Sequence, residues 1–426
     1  MPDTPLEANQ PHVAIVLLWY PLFTQPFIFR EVENLAKITP LAVYTLYDSN
    51  LRKCSGEMKK ASRRARTYGA KKVFSLSWEM FKQTIKRPRL MGSLFKRSLF
   101  RKWPDIETFG ENLWGFWAGP ALARQFEEDG IDFIYAPWPR GAATAAWVAS
   151  SLTGIPFGIS ARGDNLDPAD PDLYDKLAAA RIIRANNATD QHRLEQLEQA
   201  RDRTTLIYNS LTLPVPDGKA PKRFESGKLR LLALGRFDVT KGFDVLLEAC
   251  SILKQRGVDF RLTLAGGGGK VMGLGALEDR LLHMRKALDL ENDVDMPGLI
   301  SHDILPQVLN SHDIFVAPCV VDKSGRRDGI PNTVIEALAF AMPVVATDVG
   351  ALPEVIQNNH TGLVAKPGDA VSLADRIMEM AENPERAAEL GKNGAALVNK
   401  LFDGESNAVK LANMFRRGYC GRTCAA

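Results

Sequence analysis

Two carboxylates, Asp328 and Glu336, and two cations, Arg236 and Lys241, are the side chains best suited to chemistry in this chain. Asp328 lies in the stretch Arg326-Arg327-Asp328-Gly329-Ile330-Pro331-Asn332, and Glu336 lies in the helical pattern that follows. A loop carboxylate and a helix carboxylate can point into one cleft and accept hydrogen bonds from several hydroxyls. The competing reading is a capping box, Thr333-Val334-Ile335-Glu336, in which Glu336 only bonds its own helix end. Gly235-Arg236 ends a predicted strand, and Thr240-Lys241-Gly242 opens the next helix. A helix N-terminus carries partial positive charge, so lysine there is unfavourable unless an anion is present. Two cations beside free N–H groups suit a phosphate or diphosphate. A solvated lysine with Thr240 as helix cap is the plainer alternative, and these residues alone leave both open. Leu264-Ala265-Gly266-Gly267-Gly268-Gly269-Lys270 follows a further strand, and its glycines let backbone approach a ligand closely. G-x-G-x-x-G fails there, because its last position falls on Val271 or Met272, and Lys270 is followed by Val271, not Ser or Thr. A dinucleotide fingerprint and a phosphoryl-transfer P-loop are both excluded; a flexible β–α turn is the bland alternative.

These residues need elements to hold them. From Lys228 onward, short apolar runs alternate with helical patterns. Strands are predicted at Leu229–Leu234, Phe260–Ala265, Ile314–Ala317 and Val344–Ala346, and helices at Gly242–Arg256, Gly275–Leu290 and Thr333–Phe340. Such alternation implies βαβ units and a parallel sheet covered on both faces. The first half predicts strands at Val13–Trp19, Ala42–Leu46, Phe133–Ala136, Phe157–Ile159 and Thr205–Tyr208, and helices at Ile28–Lys37 and Gly141–Leu152. Asp170–Asn186, Asp190–Arg201 and about Pro384–Phe415 also read as helical. The expected organisation is an N-terminal α/β domain over 1–210, a linker over 211–227, a C-terminal α/β domain over 228–400, and a terminal helix and tail over 401–426 that can pack back on the first domain. The linker is proline-rich without periodicity. In open α/β sheets a ligand sits beyond the carboxyl ends of the strands, so the cleft between two such domains is the default site.

Composition bounds the rest. The 426 residues suffice for two or three domains at roughly 100–200 residues each. With 45% apolar and 24% charged residues, the chain is neither disordered, collagenous nor a disulfide miniprotein. No apolar run reaches the roughly 18 residues of a membrane-spanning helix, and Val13–Trp19 is too short for a secretory h-region. Five cysteines describe no disulfide framework, so a cytoplasmic location is expected. Charge is uneven: Leu51–Trp103 holds 17 lysines and arginines against two acids, Glu57 and Glu79. Within it Leu90, Met91, Leu94, Phe95, Ser98 and Leu99 recur at helical spacing, as do Trp78, Phe81 and Ile85. Basic amphipathic helices with aromatic residues suit an anionic bilayer. Packing of the stripe on the first domain's core, with solvated charges, is the alternative. No reader motif accompanies the cations, so no nucleic-acid partner is expected. Asp293-Val294-Asp295 has the look of a metal-binding DxD but leads into a predicted strand, and Cys420 and Cys424 have no histidine near them in the tail; no metal site is expected.

The ordered set Gly235-Arg236, Lys241-Gly242, Ala265-Gly266-Gly267-Gly268 and Asp328-Gly329-Ile330-Pro331-Asn332 with Glu336 resembles the retaining glycosyltransferases of the GT-B fold, family 4. Pro343-Val344-Val345-Ala346-Thr347-Asp348-Val349-Gly350, Pro353-Glu354 and Thr361-Gly362-Leu363-Val364 continue the likeness across nearly all of the second domain. Tyr20-Pro21 and Phe27-Ile28-Phe29-Arg30-Glu31 look like the opening of the bacterial exopolysaccharide and colanic acid branch, and Ile207-Tyr208-Asn209-Ser210 sits at that family's interdomain crossing. The resemblance implies two doubly wound Rossmann-like domains facing a cleft. It implies that Gly235, Arg236, Lys241, Gly266 and Gly267 hold the donor diphosphate region, and that Asp328 takes the first acidic place of an E-x7-E signature and binds donor-sugar hydroxyls. Glu336 would bind ribose hydroxyls, and Gly329, Ile330, Pro331, Asn332 and Thr333 would line sugar and phosphates with their backbone. Two departures stand out. The first acid is Asp, one methylene shorter than the usual Glu. Arg162, in Ser160-Ala161-Arg162-Gly163-Asp164-Asn165, occupies the place where many relatives carry a histidine near the reacting sugar; a surface ion pair with Asp164 or Asp167 is its plain alternative.

The resemblance therefore implies a hexosyltransferase moving a sugar from a UDP- or GDP-linked donor to a glycan or polyprenyl-linked acceptor, with retention and without metal or other cofactor, in bacterial cell-surface polysaccharide synthesis. The protein would be cytoplasmic and peripheral on the inner face of the membrane, docked through 51–103. A sugar-nucleotide epimerase or phosphorylase on the same fold, or a non-catalytic nucleotide-sugar or membrane-binding partner, are the alternatives.

Overall fold

The apolar runs become two separate parallel sheets. The computed structural model describes residues 10–51, 54–162, 166, 169–211, 223–225, 227–267 and 275–420. The chain divides into unit 1, Met1–Ser210 with Gly404–Ala426, and unit 2, Leu211–Asp403.

Among the described residues, unit 1 is built on β1 (Val13–Leu17), β2 (Leu41–Thr45), β3 (Ala65–Thr67), β4 (Phe133–Ala136), β5 (Phe157–Ala161), β6 (Ile182–Ala185) and β7 (Thr204–Leu206). Their order is β3-β2-β1-β4-β5-β6-β7, every pair parallel. Strand β1 shows why these runs lack alternation. Ala14 and Val16 enter the core cluster that holds Leu76, Met91, Phe116 and Trp147, whereas Val13, Ile15 and Leu17 enter one with Phe27, Leu411 and Phe415. Both faces are covered, so every position is apolar.

Unit 2 is built on β8 (Leu229–Gly235), β9 (Phe260–Gly266), β10 (Val294–Asp295), β11 (Ile314–Ala317), β12 (Val344–Thr347) and β13 (Leu363–Ala365), in the parallel order β10-β9-β8-β11-β12-β13. Each sheet winds outward in both directions from its first strand, so the order reverses between β1 and β4 in unit 1 and between β8 and β11 in unit 2. Those reversals place a crevice at the carboxyl ends of the flanking strands.

The structure corrects three expectations. Asp170–Asn186 is not one helix: Leu173–Ala179 is helical, Ala180 turns extended, and Ile182–Ala185 is β6. A strand buried on both faces has no period-2 signal, and Arg184 within it breaks the apolar run. Asp190–Arg201 shortens to Ala188–Glu195, capped by Asn187, whose side chain accepts from the Asp190 N–H. The terminal pattern breaks into Pro384–Leu401 in unit 2 and Gly404–Cys420 in unit 1, where Phe415 packs 4.9 Å from the Tyr135 ring centroid. Within the expected linker, which these corrections leave untouched, Arg223 donates to the Leu309, His312 and Phe340 carbonyls, and the Phe224 N–H to Asp313. Residues 212–222 lie outside the described residues.

Candidate active site

The β8–β11 reversal gathers the expected donor-site residues of unit 2. Gly235 ends β8 and is followed by exposed Arg236. The chain then makes a short 3-10 turn, Val239–Lys241, capped by Asp238, which accepts from the Thr240 N–H at 3.0 Å and hydroxyl at 2.8 Å. Thr240 is therefore not the cap. The turn ends at Lys241, and helix Phe243–Gln255 begins with no side chain capping it. Asp328 arrives on the segment between β11 and the helix Asn332–Ala339, and its carboxylate lies 2.9 Å from Lys241 Nζ, with the Thr240 hydroxyl donating to it at 3.4 Å. Two uncapped helix starts and two cations so converge on one strand edge, and that combination binds anions.

The charges in the pair are stable. Burial alone would push the Asp328 carboxyl up, but Lys241, then Arg236 and the Thr240 hydroxyl, hold it below its usual range. Burial likewise presses Lys241 down, and the Asp328 charge more than restores it, so its pKa sits above the ordinary value. At neutral pH the site offers an ammonium and a carboxylate.

Gly350 sets where that carboxylate sits. Its φ is +61°, and a Cβ there would lie 2.1 Å from the Asp328 carbonyl oxygen, so only glycine lets the loop after β12 support Asp328. Gly266 has a similar reason: a Cβ would fall 1.8 Å from the Gly235 carbonyl. Its N–H donates to Gly298, and Leu299 borders Gly267, so the 298–300 loop abuts the glycine turn. Residues 268–274 of that turn lie outside the described residues.

The capping-box alternative for Glu336 does not form. Pro331 precedes the helix, no side chain caps it, and Thr333 instead donates its hydroxyl to the Leu234 carbonyl at 3.1 Å, tying the helix start to β8. Glu336 lies one turn inside this helix and is buried. Gly329, Ile330, Pro331 and Asn332 connect Asp328 to it. The carboxylates of the Asp-Val-Asp stretch are engaged elsewhere: Arg261 grips Asp295 at 2.5 and 2.7 Å, and Lys254 lies 3.2 Å from Asp293.

Arg162 is in unit 1, not with this group. It follows β5, is buried, and donates to the Pro137 carbonyl at 2.9 Å and to Asn209 Oδ1 at 3.0 Å. Its guanidinium lies 4.6 Å from the Trp138 ring centroid and 5.4 Å from that of Phe27. It is no surface arginine, although Asp164 and Asp167 lie outside the described residues. Pro137-Trp138 follows β4, so Arg162 stands at the carboxyl edge beside the reversal in the sheet of unit 1. Nearby, fully buried Arg184 pairs with Glu31 at 2.6 Å and donates to the Ile207 and Tyr208 carbonyls, holding the strand end that leads to Asn209. Sequence reasoning missed Trp138, Asp238 and Arg184. The Trp-Pro pair after β4 was the available signal for the first; nothing local marks the others.

Residues 216–397 match the family model of glycosyl transferases group 1. The chain is 31% identical across 189 residues to the amylovoran biosynthesis glycosyltransferase AmsK of Erwinia amylovora, covering 44% of this chain and 45% of that one. It is 31% identical across 197 residues to the putative colanic acid biosynthesis glycosyltransferase WcaL of Escherichia coli K12, covering 46% and 47%. The chain thus spans about half the length of the curated relatives it matches. Among solved structures, HepE of Anabaena in complex with UDP superposes with a TM-score of 0.69 over 95% of this chain and 98% of that one, at 15% identity. The two-unit fold is that of the GT-B glycosyltransferases.

Proposed function

We propose that this protein is a retaining hexosyltransferase that moves a sugar from a UDP- or GDP-linked donor to a glycan or polyprenyl-linked acceptor during bacterial exopolysaccharide synthesis. The observation that carries this reading is the Lys241–Asp328 pair at the β8–β11 reversal, flanked by Arg236 and two uncapped helix starts. Cleavage of a sugar–diphosphate bond leaves an oxocarbenium-like carbon and a dianionic leaving group. Lys241, Arg236 and the helix amides stabilise that growing charge more in the transition state than in the ground state. Asp328 accepts donor-sugar hydroxyls, and Glu336 the ribose hydroxyls. In keeping with the retaining family that the sequence resembles, attack on this reading comes from the face the diphosphate leaves, its oxygen taking the acceptor proton. Arg162, held by Asn209 and Pro137, serves the acceptor side. The names of AmsK and WcaL support an exopolysaccharide product, and the UDP bound to HepE supports a nucleotide donor. We place the protein at the cytoplasmic face of the membrane, peripheral and working without metal; no described helix is long and apolar enough to cross a membrane.

Purified protein incubated with UDP- and GDP-hexoses should hydrolyse one of them slowly, with or without EDTA, and release the sugar in the donor's anomeric form by NMR. Lys241→Ala and Glu336→Ala should abolish this. Equal hydrolysis by both variants and the parent would show that the site is elsewhere.

A further inference from the structure

The helix Val73–Lys86 carries two apolar faces, and unit 1 uses only one. Leu76 and Met80 are buried in the core that also receives Phe116 and Leu122. Phe74, Trp78, Phe81 and Ile85 are 87, 57, 55 and 64% exposed. At about 100° per residue these four fall within roughly 60° of one another, on the side opposite Leu76 and Met80. The Trp78 and Phe81 rings stack with centroids 5.9 Å apart, so the ridge is continuous. By contrast, most of the stripe of the next helix, Pro88–Ser98, is spent inward: Met91, Leu94 and the following Leu99 are buried in that same core, and Phe95 alone of its large apolar side chains stays exposed. Exposed contiguous apolar surface marks an interaction site.

Flanking charge decides the occupant. Lys71, Lys72, Lys82, Lys86 and Arg89 lie on or beside this helix and are exposed. Of the segment's two acids, Glu79 is buried against Lys82 and Arg124, and Glu57 pairs with Arg30. Two copies meeting ridge to ridge would oppose these cations, and like-charge juxtaposition disfavours that. An anionic bilayer answers both features, with rings and isoleucine entering the acyl boundary and ammonium groups meeting headgroup phosphates. Lys82, 5.3 Å from the Trp78 ring centroid, already bridges the apolar and charged parts. We infer that Phe74, Trp78, Phe81 and Ile85 form the ridge by which this protein inserts into the interface of an anionic lipid membrane. The inference rests on the membrane-facing reading above and assigns its contact surface.

The full chain, mixed with vesicles of phosphatidylcholine alone or with phosphatidylglycerol, tests it by flotation. The parent should float with the anionic vesicles only, and brominated lipid should quench a tryptophan signal that is absent in Trp78→Phe. The triple variant Phe74→Ser, Phe81→Ser, Ile85→Ser should bind about a hundredfold more weakly while keeping its melting temperature. Undiminished flotation of the triple variant, equal binding to neutral vesicles, or a parent dimer that the triple variant dissolves would each overturn the assignment. Donor hydrolysis in solution separates this from the transferase reading: the triple variant should hydrolyse donor like the parent. A parent that floats through the ridge but never turns over donor would remove the enzyme and leave the ridge.

Discussion

Converting Asp328 to asparagine tests how the paired charges divide the work. The substitution keeps the side chain's size and its capacity to accept from Thr240, but it removes the charge 2.9 Å from Lys241 Nζ. In the free protein that carboxylate competes with an incoming diphosphate for the ammonium. A unit charge about 6 Å from a phosphate contributes roughly 3 kcal/mol at an effective dielectric near 20, of which about 1–1.5 kcal/mol survives salt and relaxation. Nucleoside diphosphate lacking a sugar should therefore bind Asp328→Asn about tenfold tighter than the parent. Sugar transfer should fall about a hundredfold, because the donor hydroxyls lose a charged acceptor. Lys241→Met should shift the first quantity the other way, weakening diphosphate about tenfold or more. Isothermal titration of UDP and GDP at constant ionic strength, beside initial rates, reads both. If Asp328→Asn weakens diphosphate as much as Lys241→Met, the two side chains do not oppose each other at a phosphate, and the site reasoning is wrong.

Three further outcomes follow from the same contacts. Gly350→Ala should cost about 2–3 kcal/mol in urea melts, through left-handed strain plus the clash with the Asp328 carbonyl, and should reduce turnover of the folded fraction. Arg184→Met should destabilise unit 1 by about 3–5 kcal/mol by stranding Glu31, and adding Glu31→Met should recover part of that loss in the same melts. Asp313 is held below the usual aspartate range, because Arg230 and two backbone N–H groups outweigh the upward push of burial. Its stabilisation is complete above the unfolded-state value and disappears as pH falls through the lower folded one. The melting temperature of Asp313→Asn should therefore lie below the parent's at neutral pH, and the gap should close only as pH falls below the ordinary aspartate range.

Much of the candidate site was readable because its signals are local. Gly235-Arg236, Thr240-Lys241-Gly242 and Asp328-Gly329 are runs of a few residues, each at a strand end or helix start that the apolar pattern predicts. Their meeting was not readable, since 87 residues separate Lys241 from Asp328 and only the β8–β11 neighbour relation brings them to 2.9 Å. The capping-box pattern at Thr333 was locally sound yet lost to a longer-range partner, the Leu234 carbonyl. Strand β6 was hidden for a related reason: a buried arginine in a strand makes sense only once Glu31 stands opposite it.

The amino-acid pattern alone determined two covered parallel sheets, the glycine and cation positions at their strand ends, and the concentration of positive charge between Leu51 and Trp103. These depend on chain-local period, propensity and composition. Tertiary structure alone decided that Lys241 enters a pair with Asp328, that Arg162 is buried between Trp138 and Phe27, and that Gly404–Cys420 returns to unit 1. It also decided which face of the helix Val73–Lys86 is left bare, because amphipathic spacing names an apolar stripe but only the neighbouring core consumes one.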